Sequence, residues 1–246
     1  MLPLSSCRKL FVLTGAGTSA DSGLATFRGE GGVWRTYRAE EVANINAWRR
    51  DPRMVWDFYS MRRAKHKEVK PNAAHFALAE LEKRLGDRFF LCTQNVDQLH
   101  ELAGSRRITH IHGKIFESKC DTCDRPPFLD DAPYPSDEPL PQCYCGGGIR
   151  PNVCWFGEMP FDVEPVMNQL NDCDCFMAVG TSGMVEPVAS FVAHLKQRRE
   201  PREGLKIHTV YVGLEEPRNA GYFDQLLLGK AAEVLPELLR TLALAT

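Results

Sequence analysis

The sequence predicts an α/β fold: a parallel sheet wrapped by helices and interrupted by a small metal-stapled lobe. Three observations carry that expectation. Short apolar runs ending in glycine-rich or polar loops alternate with helical patterns, the signature of a parallel sheet covered on both faces. The stretch over 126–142 holds six prolines among its 17 residues and can be neither a regular helix nor a central strand. Two close cysteine pairs, Cys120/Cys123 and Cys143/Cys145, bracket that stretch.

Lys9–Leu13 reads as a buried strand feeding the tight turn Gly15-Ala16-Gly17. Asp51–Lys67 reads as a helix with Met54, Val55, Phe58 and Met61 as its apolar stripe. A second helix starts near Pro71-Asn72, buries Ala74, Leu78, Leu81 and Leu85, and stops at Gly86. Phe89–Thr93 is the next strand, and Thr109-His110-Ile111-His112 another, its alternation placing both histidines on one face. Beyond the proline-rich stretch, Cys175–Val179 and Ile207–Val212 read as strands and Val185–Arg198 as a helix. Glu233-Val234-Leu235 reads as a last short strand before the closing helix.

Composition removes several function classes. The chain has 246 residues, 43% hydrophobic and 25% charged, which excludes wholesale disorder. It contains no apolar run near the ~20 residues of a membrane-spanning helix. A net charge of −2 supplies no electrostatic footprint for direct nucleic-acid binding. Nine cysteines behind a start, Met1 to Ser6, without leader character favour metal ligation over disulfides and a cytoplasmic location.

Ligands of parallel sheets bind beyond the carboxyl ends of the strands. Three loops fall there: Gly15–Gly17, Gln94–Asp97 and Gly180–Ser182. Gly15 to Ala20 fits the G-x-G-x-x-A form of the dinucleotide fingerprint, in which glycines let the backbone approach a pyrophosphate. Alone, it fits a structural turn equally well. The ribose-binding acid expected about 20 residues later is missing, which disfavours an ordinary hydride-transfer dehydrogenase. The cysteine set matches a zinc ribbon except for a second knuckle one residue short. Four thiolates leave no open position on the ion, so such a zinc is structural; four free thiols are the alternative. Cys7, Cys92, Cys154, Cys173 and Cys175 read as buried or incidental. His112, before a glycine at a strand end, is placed to project into a cleft, with a side chain suited to proton transfer near neutrality. His110 reads as structural.

In order along the chain stand Gly15-Ala16-Gly17-Thr18-Ser19-Ala20-Asp21-Ser22-Gly23, Thr26-Phe27-Arg28, Thr93-Gln94-Asn95-Val96-Asp97, His112-Gly113, the cysteine pairs, Trp155-Phe156-Gly157-Glu158 and Gly180-Thr181-Ser182. This ordered set resembles the sirtuin family of NAD-dependent protein lysine deacylases over about Leu10 to Leu239. The resemblance implies a Rossmann-like large domain from 1–28, 72–115 and 155–246. It implies a small lobe from 29–71 (helical) and 116–154 (zinc-binding, through Cys120, Cys123, Cys143 and Cys145). It implies NAD as a consumed co-substrate and acylated-lysine proteins or peptides as partners. The pyrophosphate falls to Gly15, Ala16, Gly17, Thr18 and Ala20, and the nicotinamide side to Phe27 and Arg28. Gln94, Asn95 and Asp97 fall to the nicotinamide ribose and carboxamide, and Gly180, Thr181 and Ser182 to the adenosine half. Thr26, Trp34, Gly213, Leu214 and Ala231 are further implied cofactor contacts. Val153 to Gly157, including Trp155 and Phe156, would pair with the substrate backbone. His112 and Asn95 become the catalytic pair, His112 as general base on a ribose hydroxyl.

Tyr59 and Arg62 stand three apart on a predicted helix and share a face. A guanidinium beside a phenol can bind a carboxylate, or the two can simply line a solvated helix face. The pair resembles the Tyr-x-x-Arg of class III sirtuins, which remove succinyl and malonyl groups, and Ala39 resembles the small residue that leaves room for the longer acyl chain. The implied activity is desuccinylation and demalonylation with weaker deacetylation. Alternatives are a deacetylase without acidic-acyl preference, a mono-ADP-ribosyl transferase or NAD glycohydrolase, and a non-catalytic zinc-binding adaptor. The chain departs from the family at Cys143-Tyr144-Cys145, at Asn152 where histidine is common, at Cys154 where valine is common, and at Gly213 in place of an asparagine.

Overall fold

The computed structural model describes residues 7–26, 39–134, 137–197 and 207–243. The chain opens with β1 (Leu10–Thr14) and the five-residue α1 (Ala16–Ala20). Four helices follow: α2 (Ala39–Val42), α3 (Ile45–Arg50), α4 (Pro52–Glu68) and α5 (Ala73–Leu85). Next come β2 (Phe89–Thr93), α6 (Leu99–Ala103), β3 (Ile108–His110), β4 (Gly113–Cys120), β5 (Phe128–Leu129) and β6 (Ile149–Val153). The chain then forms α7 (Val163–Asp172), β7 (Cys175–Val179), α8 (Phe191–Gln197), β8 (His208–Gly213), β9 (Gln225–Leu228) and α9 (Ala231–Ala243).

Six strands form one sheet in the order β3-β2-β1-β7-β8-β9, every neighbouring pair parallel. The winding direction reverses between β1 and β7, which leaves a crevice where Thr14, Thr93 and Val179 end their strands. Alternation along the strands explains how both faces are covered. Leu10, Val12, Leu91, Met177 and Val210 pack against α5 and α9 through Leu78, Leu81, Leu235 and Leu238. Phe11, Leu13, Cys92, Phe176 and Tyr211 face α7 and α8 through Val166, Leu170, Phe191 and Leu195.

The second sheet, β5-β4-β6, is antiparallel. It packs with α3 and α4 around a core of its own containing Trp48, Trp56, Ile115, Ile149 and Trp155. Arg63 fastens α4 to it from a side chain 1% exposed. Its Nε donates to Ile115 O at 2.8 Å and its Nη2 to Ser118 Oγ at 3.0 Å, while Nη1 lies 3.3 Å from Asp130 Oδ2. The chain crosses between the sheets through Ile111-His112 alone between β3 and β4.

Helix ends follow their capping residues. Asp51 accepts from Met54 N ahead of α4, with Pro52 at its first position. Asn72 caps Ala74 N at 2.9 Å, and His75 Nδ1 accepts from Asn72 N at 3.2 Å, a reciprocal box at the start of α5.

Three sequence expectations are corrected. Glu233-Val234-Leu235 is helical within α9, and the last strand is Gln225–Leu228; three residues are too few to separate a period of 2 from 3.6. The helix expected from Val185 begins at Phe191, after a 3-10 turn over Val188–Ser190, because Pro187 has no N–H for a continuous ladder. Met61 is 47% exposed, and the buried face of α4 instead runs through Val55, Trp56, Tyr59 and Arg63.

Candidate functional site

The crevice is walled by the three anticipated loops. Gly15 N donates to Val179 O and Gly17 N to Gly180 O, each at 2.9 Å, so the first loop lies directly on the third. A Cβ on Gly15 would stand 2.8 Å from Gly180 O, and one on Gly180 would stand 2.4 Å from Thr18 N. The glycines are required for this backbone contact. Thr18 is buried, and its hydroxyl is spent on Val179 O at 3.1 Å. Ala16 and Ala20 are half-buried around it.

The second loop is pinned to the first. Gln94 N donates to Thr14 O at 2.9 Å. Asn95, 7% exposed, donates from Nδ2 to Gly15 O and to Ser19 Oγ, both at 3.1 Å. Ser19 Oγ donates to Asp97 Oδ2 at 2.9 Å, and Leu99 N donates to Asp97 Oδ1 at 3.0 Å. Burial raises the Asp97 carboxyl against the pull of those two hydrogen bonds. Below lie His75, whose Nε2 is 3.4 Å from Ser19 Oγ, and His100, whose Nε2 is 3.1 Å from Thr14 Oγ1. Burial pushes His75 down to about 4 and His100 well below the ordinary range, so this floor is polar but uncharged. Ser19, His75 and His100 escaped the sequence reading. Ser19 stood inside the glycine motif, whereas nothing local marked the histidines.

His112 lies in the link between the two sheets. Its Nδ1 is 3.2 Å from Gln94 O, and its own carbonyl accepts from Cys154 N at 2.9 Å. An Nδ1–H bond to Gln94 leaves the Nε2 lone pair as the basic one. Burial lowers the ring below the ordinary histidine value, partly opposed by the Gln94 carbonyl. Gly113 follows at φ +82°, where an added Cβ would stand 2.1 Å from Asn152 O.

On the small-lobe side, Tyr59 is fully buried and its hydroxyl accepts from Trp155 Nε1 at 3.0 Å. Burial holds the phenol above its usual value, so it keeps its proton. Half-buried Arg62 lays its guanidinium 5.9 Å from the Tyr59 ring centroid and 5.6 Å from that of Phe58. Burial lowers Arg62, and the nearby Tyr59 and Asp97 work against that. Trp155 is itself clamped. Arg150 stacks 3.4 Å over its ring and bonds Glu158 at 2.6 and 2.9 Å, while Glu158 Oε2 accepts Trp155 N at 2.8 Å. Val153 is buried in β6, Phe156 is 46% exposed and Gly157 is exposed. Phe156 N is already donated to Ala43 O at 2.9 Å.

In the third loop, Thr181 is half-buried and Ser182 exposed. Tyr211 donates its hydroxyl to Thr181 O at 3.0 Å. A Cβ on Gly213 would meet that hydroxyl at 2.2 Å, which explains the missing side chain there. Leu214 is exposed, Ala231 is buried against the sheet and Thr26 is half-buried. Phe27, Arg28 and Trp34 lie outside the described residues, as does the side chain of Ala39, the first residue of α2.

The four cysteine sulfurs lie within 4.8 Å of one another, with Cys120 and Cys145 at 3.6 Å and Cys123 and Cys143 at 3.8 Å. A tetrahedral zinc with Zn–S bonds of about 2.3 Å needs sulfurs about 3.8 Å apart. Thr122 N, Cys123 N and Gly147 N each lie 3.4 Å from a cysteine sulfur, bonds that favour thiolate. The donor set fits one closed, structural zinc. The short second knuckle is accommodated by a turn in which Cys143 N donates to Gly147 O at 2.8 Å. Cys7, Cys92, Cys173 and Cys175 are buried, as expected; Cys154 is half-buried beside the Trp155 loop.

A sheet wound in two directions, with glycine loops across its switch point and a lobe carrying four clustered cysteines, is the arrangement of a two-lobed dinucleotide-binding enzyme. The sequence pattern of the Sir2 family matches residues 15–187, and the chain belongs to that family. An NAD-dependent protein deacylase of Caulobacter vibrioides is 45% identical over 231 residues, covering 93% of this chain and 94% of its own. The crystal structure of a Sir2 homologue–NAD complex superposes with a TM-score of 0.86 at 39% identity, over 98% of this chain and 92% of that one. A Sir2 complex with a deacetylated peptide and 3′-O-acetyl ADP-ribose superposes with a TM-score of 0.83 at 25% identity, over 97% and 95%.

Proposed function

We propose that this Sir2-family enzyme is an NAD-dependent protein lysine deacylase that prefers succinyl- and malonyl-lysine and removes acetyl groups more weakly. Relatives more than 40% identical bear the name NAD-dependent protein deacylase. The single observation that carries the acyl preference is Arg62 lying against the ring of Tyr59 on the inner side of α4, near Asp97. A half-buried guanidinium with a protonated phenol beside it is a carboxylate receptor. The Tyr59 oxygen accepts from Trp155 and still has its own proton to donate.

The chemistry assigned to the crevice is as follows. NAD binds along the Gly15, Gln94 and Gly180 loops, its nicotinamide end toward Asn95 and Asp97. Departure of nicotinamide leaves an oxocarbenium-like ribose carbon, and the amide oxygen of the acyl-lysine bonds to it. His112 Nε2 takes the proton of a ribose hydroxyl, which attacks the imidate carbon. The lysine amine leaves, and after addition of water the acyl group departs as O-acyl-ADP-ribose. A zinc held by Cys120, Cys123, Cys143 and Cys145 would staple the small lobe and take no part in these steps.

No helix among the described residues is long and apolar enough to cross a membrane. The test is a panel of acetyl-, malonyl- and succinyl-lysine peptides with NAD, following deacylated product by mass. Faster turnover of the acidic acyl peptides is the expected result. Equal or faster deacetylation removes the acyl preference. Nicotinamide release without any acyl peptide favours the transferase or glycohydrolase reading.

A further inference from the structure

The wall of the crevice contains a histidine that the chemistry above leaves unused. His110 ends β3, paired in register with Thr93 of β2, and is 6% exposed. Its Nδ1 lies 3.0 Å from the carbonyl oxygen of Asn95, and its Nε2 lies 2.8 Å from Glu101 Oε1. The two ring nitrogens thus face a backbone carbonyl and a carboxyl group. A neutral imidazole has one N–H, so its tautomer sets which of these two contacts it donates. Burial works to raise the Glu101 carboxyl, but the hydrogen bond and nearby charge of His110, together with Lys114 and a backbone hydrogen bond, hold it below the usual range.

The connection is circular. Asn95 leads through Asp97, whose carboxylate starts α6 at Leu99 N, to Glu101 in the first turn of α6. Glu101 reaches back to His110, and His110 closes the ring on the Asn95 carbonyl. His112, two residues further on, holds the preceding carbonyl, that of Gln94, in the same manner. The two alternating histidines therefore grip consecutive peptide units of one loop. That loop carries Asn95, whose Nδ2 is aimed at Gly15 and Ser19.

We propose that Glu101 and His110 are a positioning pair for the reaction, fixing the main chain at Asn95 so that Asn95 and His112 keep their registry across the nicotinamide end of the crevice. The inference rests on the assignment of Asn95 to that end of NAD. Glu101 orients the ring, and His110 Nδ1 delivers the restraint. Neither touches substrate.

The experiment compares three substitutions at one position. Asparagine places its amide nitrogen near the Nδ1 site and keeps the bond to Asn95. Glutamine reaches toward Glu101 and loses it. Alanine loses both. Deacylation and acyl-peptide-dependent exchange of nicotinamide into NAD are measured per folded protein, with melting temperature recorded alongside. His110→Ala and His110→Gln are expected to lower kcat and exchange together by about tenfold or more at nearly unchanged KM for the peptide, since a misplacement of about 1 Å costs on the order of 100-fold. His110→Asn should recover most of that loss, and Glu101→Ala should fall in the same direction as His110→Ala. If all four variants stay within about twofold of the unsubstituted enzyme, or if His110→Gln rescues as well as His110→Asn, the pair only supports the fold and the proposal is wrong. Asn95→Ala, run in parallel, separates this from the reading beneath it. An inactive Asn95→Ala beside an unimpaired His110→Ala overturns the pair alone, and a fully active Asn95→Ala overturns both.

Discussion

The indole N–H of Trp155 donates to the hydroxyl of Tyr59 at 3.0 Å, joining residues 96 apart in sequence. Trp155 is itself held by Arg150 and Glu158, so the phenol of α4 is fixed from the small lobe and cannot swing away from Arg62. The proposed carboxylate receptor would in this sense be built before substrate arrives.

Arg62→Met should therefore act on one substrate class. Loss of a charge-assisted bond worth about 2–3 kcal/mol corresponds to a fall of about 30- to 150-fold in kcat/KM for succinyl-lysine. The acetyl-lysine value should move less than about threefold. Arg63→Met should behave oppositely. It strips the partner from nearly buried Asp130, which costs about 3–5 kcal/mol of stability and leaves the succinyl-to-acetyl ratio of the folded fraction unchanged. Parallel kinetics and thermal denaturation check both. Equal losses on the two acyl groups in Arg62→Met would assign Arg62 to the fold.

As the proposed general base, His112 should set the acid limb of the rate profile. A general base works deprotonated, so kcat/KM rises with pH through the ring's pKa and is lost as pH falls below it. Burial places that pKa under the ordinary 6.5, and the plateau should therefore extend through neutrality and into mildly acidic pH. His112→Ala should lower the rate by about 100- to 10,000-fold and abolish the limb. A limb centred above 6.5, or one that survives in His112→Ala, would contradict the assignment.

The cysteine cluster predicts metal dependence of folding. Purified protein should carry about one zinc per chain, and Cys143→Ser should lose it together with a marked drop in melting temperature. The loss should reach activity as well, because β4 and β6 frame both the cluster and the Trp155 loop. Unchanged metal content and melting temperature in Cys143→Ser would refute a four-thiolate site.

Much of the architecture was legible locally. Leu10–Thr14, Phe89–Thr93 and Cys175–Val179 are fully apolar or nearly so because both sheet faces are covered, and that burial writes itself into consecutive residues. The glycine loops were legible because close backbone approach admits no side chain. Less visible were β9, whose residues are half-buried or, at Leu228, exposed at the sheet edge, and the start of α8, displaced by Pro187.

Residue types, their order and the strand-end loops were thus readable from one dimension, since alternation, helical spacing and glycine requirements are short-range properties of a chain. The sequence already favoured Arg62 over Arg63 and His112 over His110; only the tertiary structure decided what holds the other member of each couple. Arg62 faces Tyr59 while Arg63 is consumed by Ile115, Ser118 and Asp130. His112 stands at the crevice while His110 is locked between Asn95 and Glu101. The bonds of Arg63 and His110 reach partners 9 to 67 positions away, brought together by packing, and no local periodicity records them.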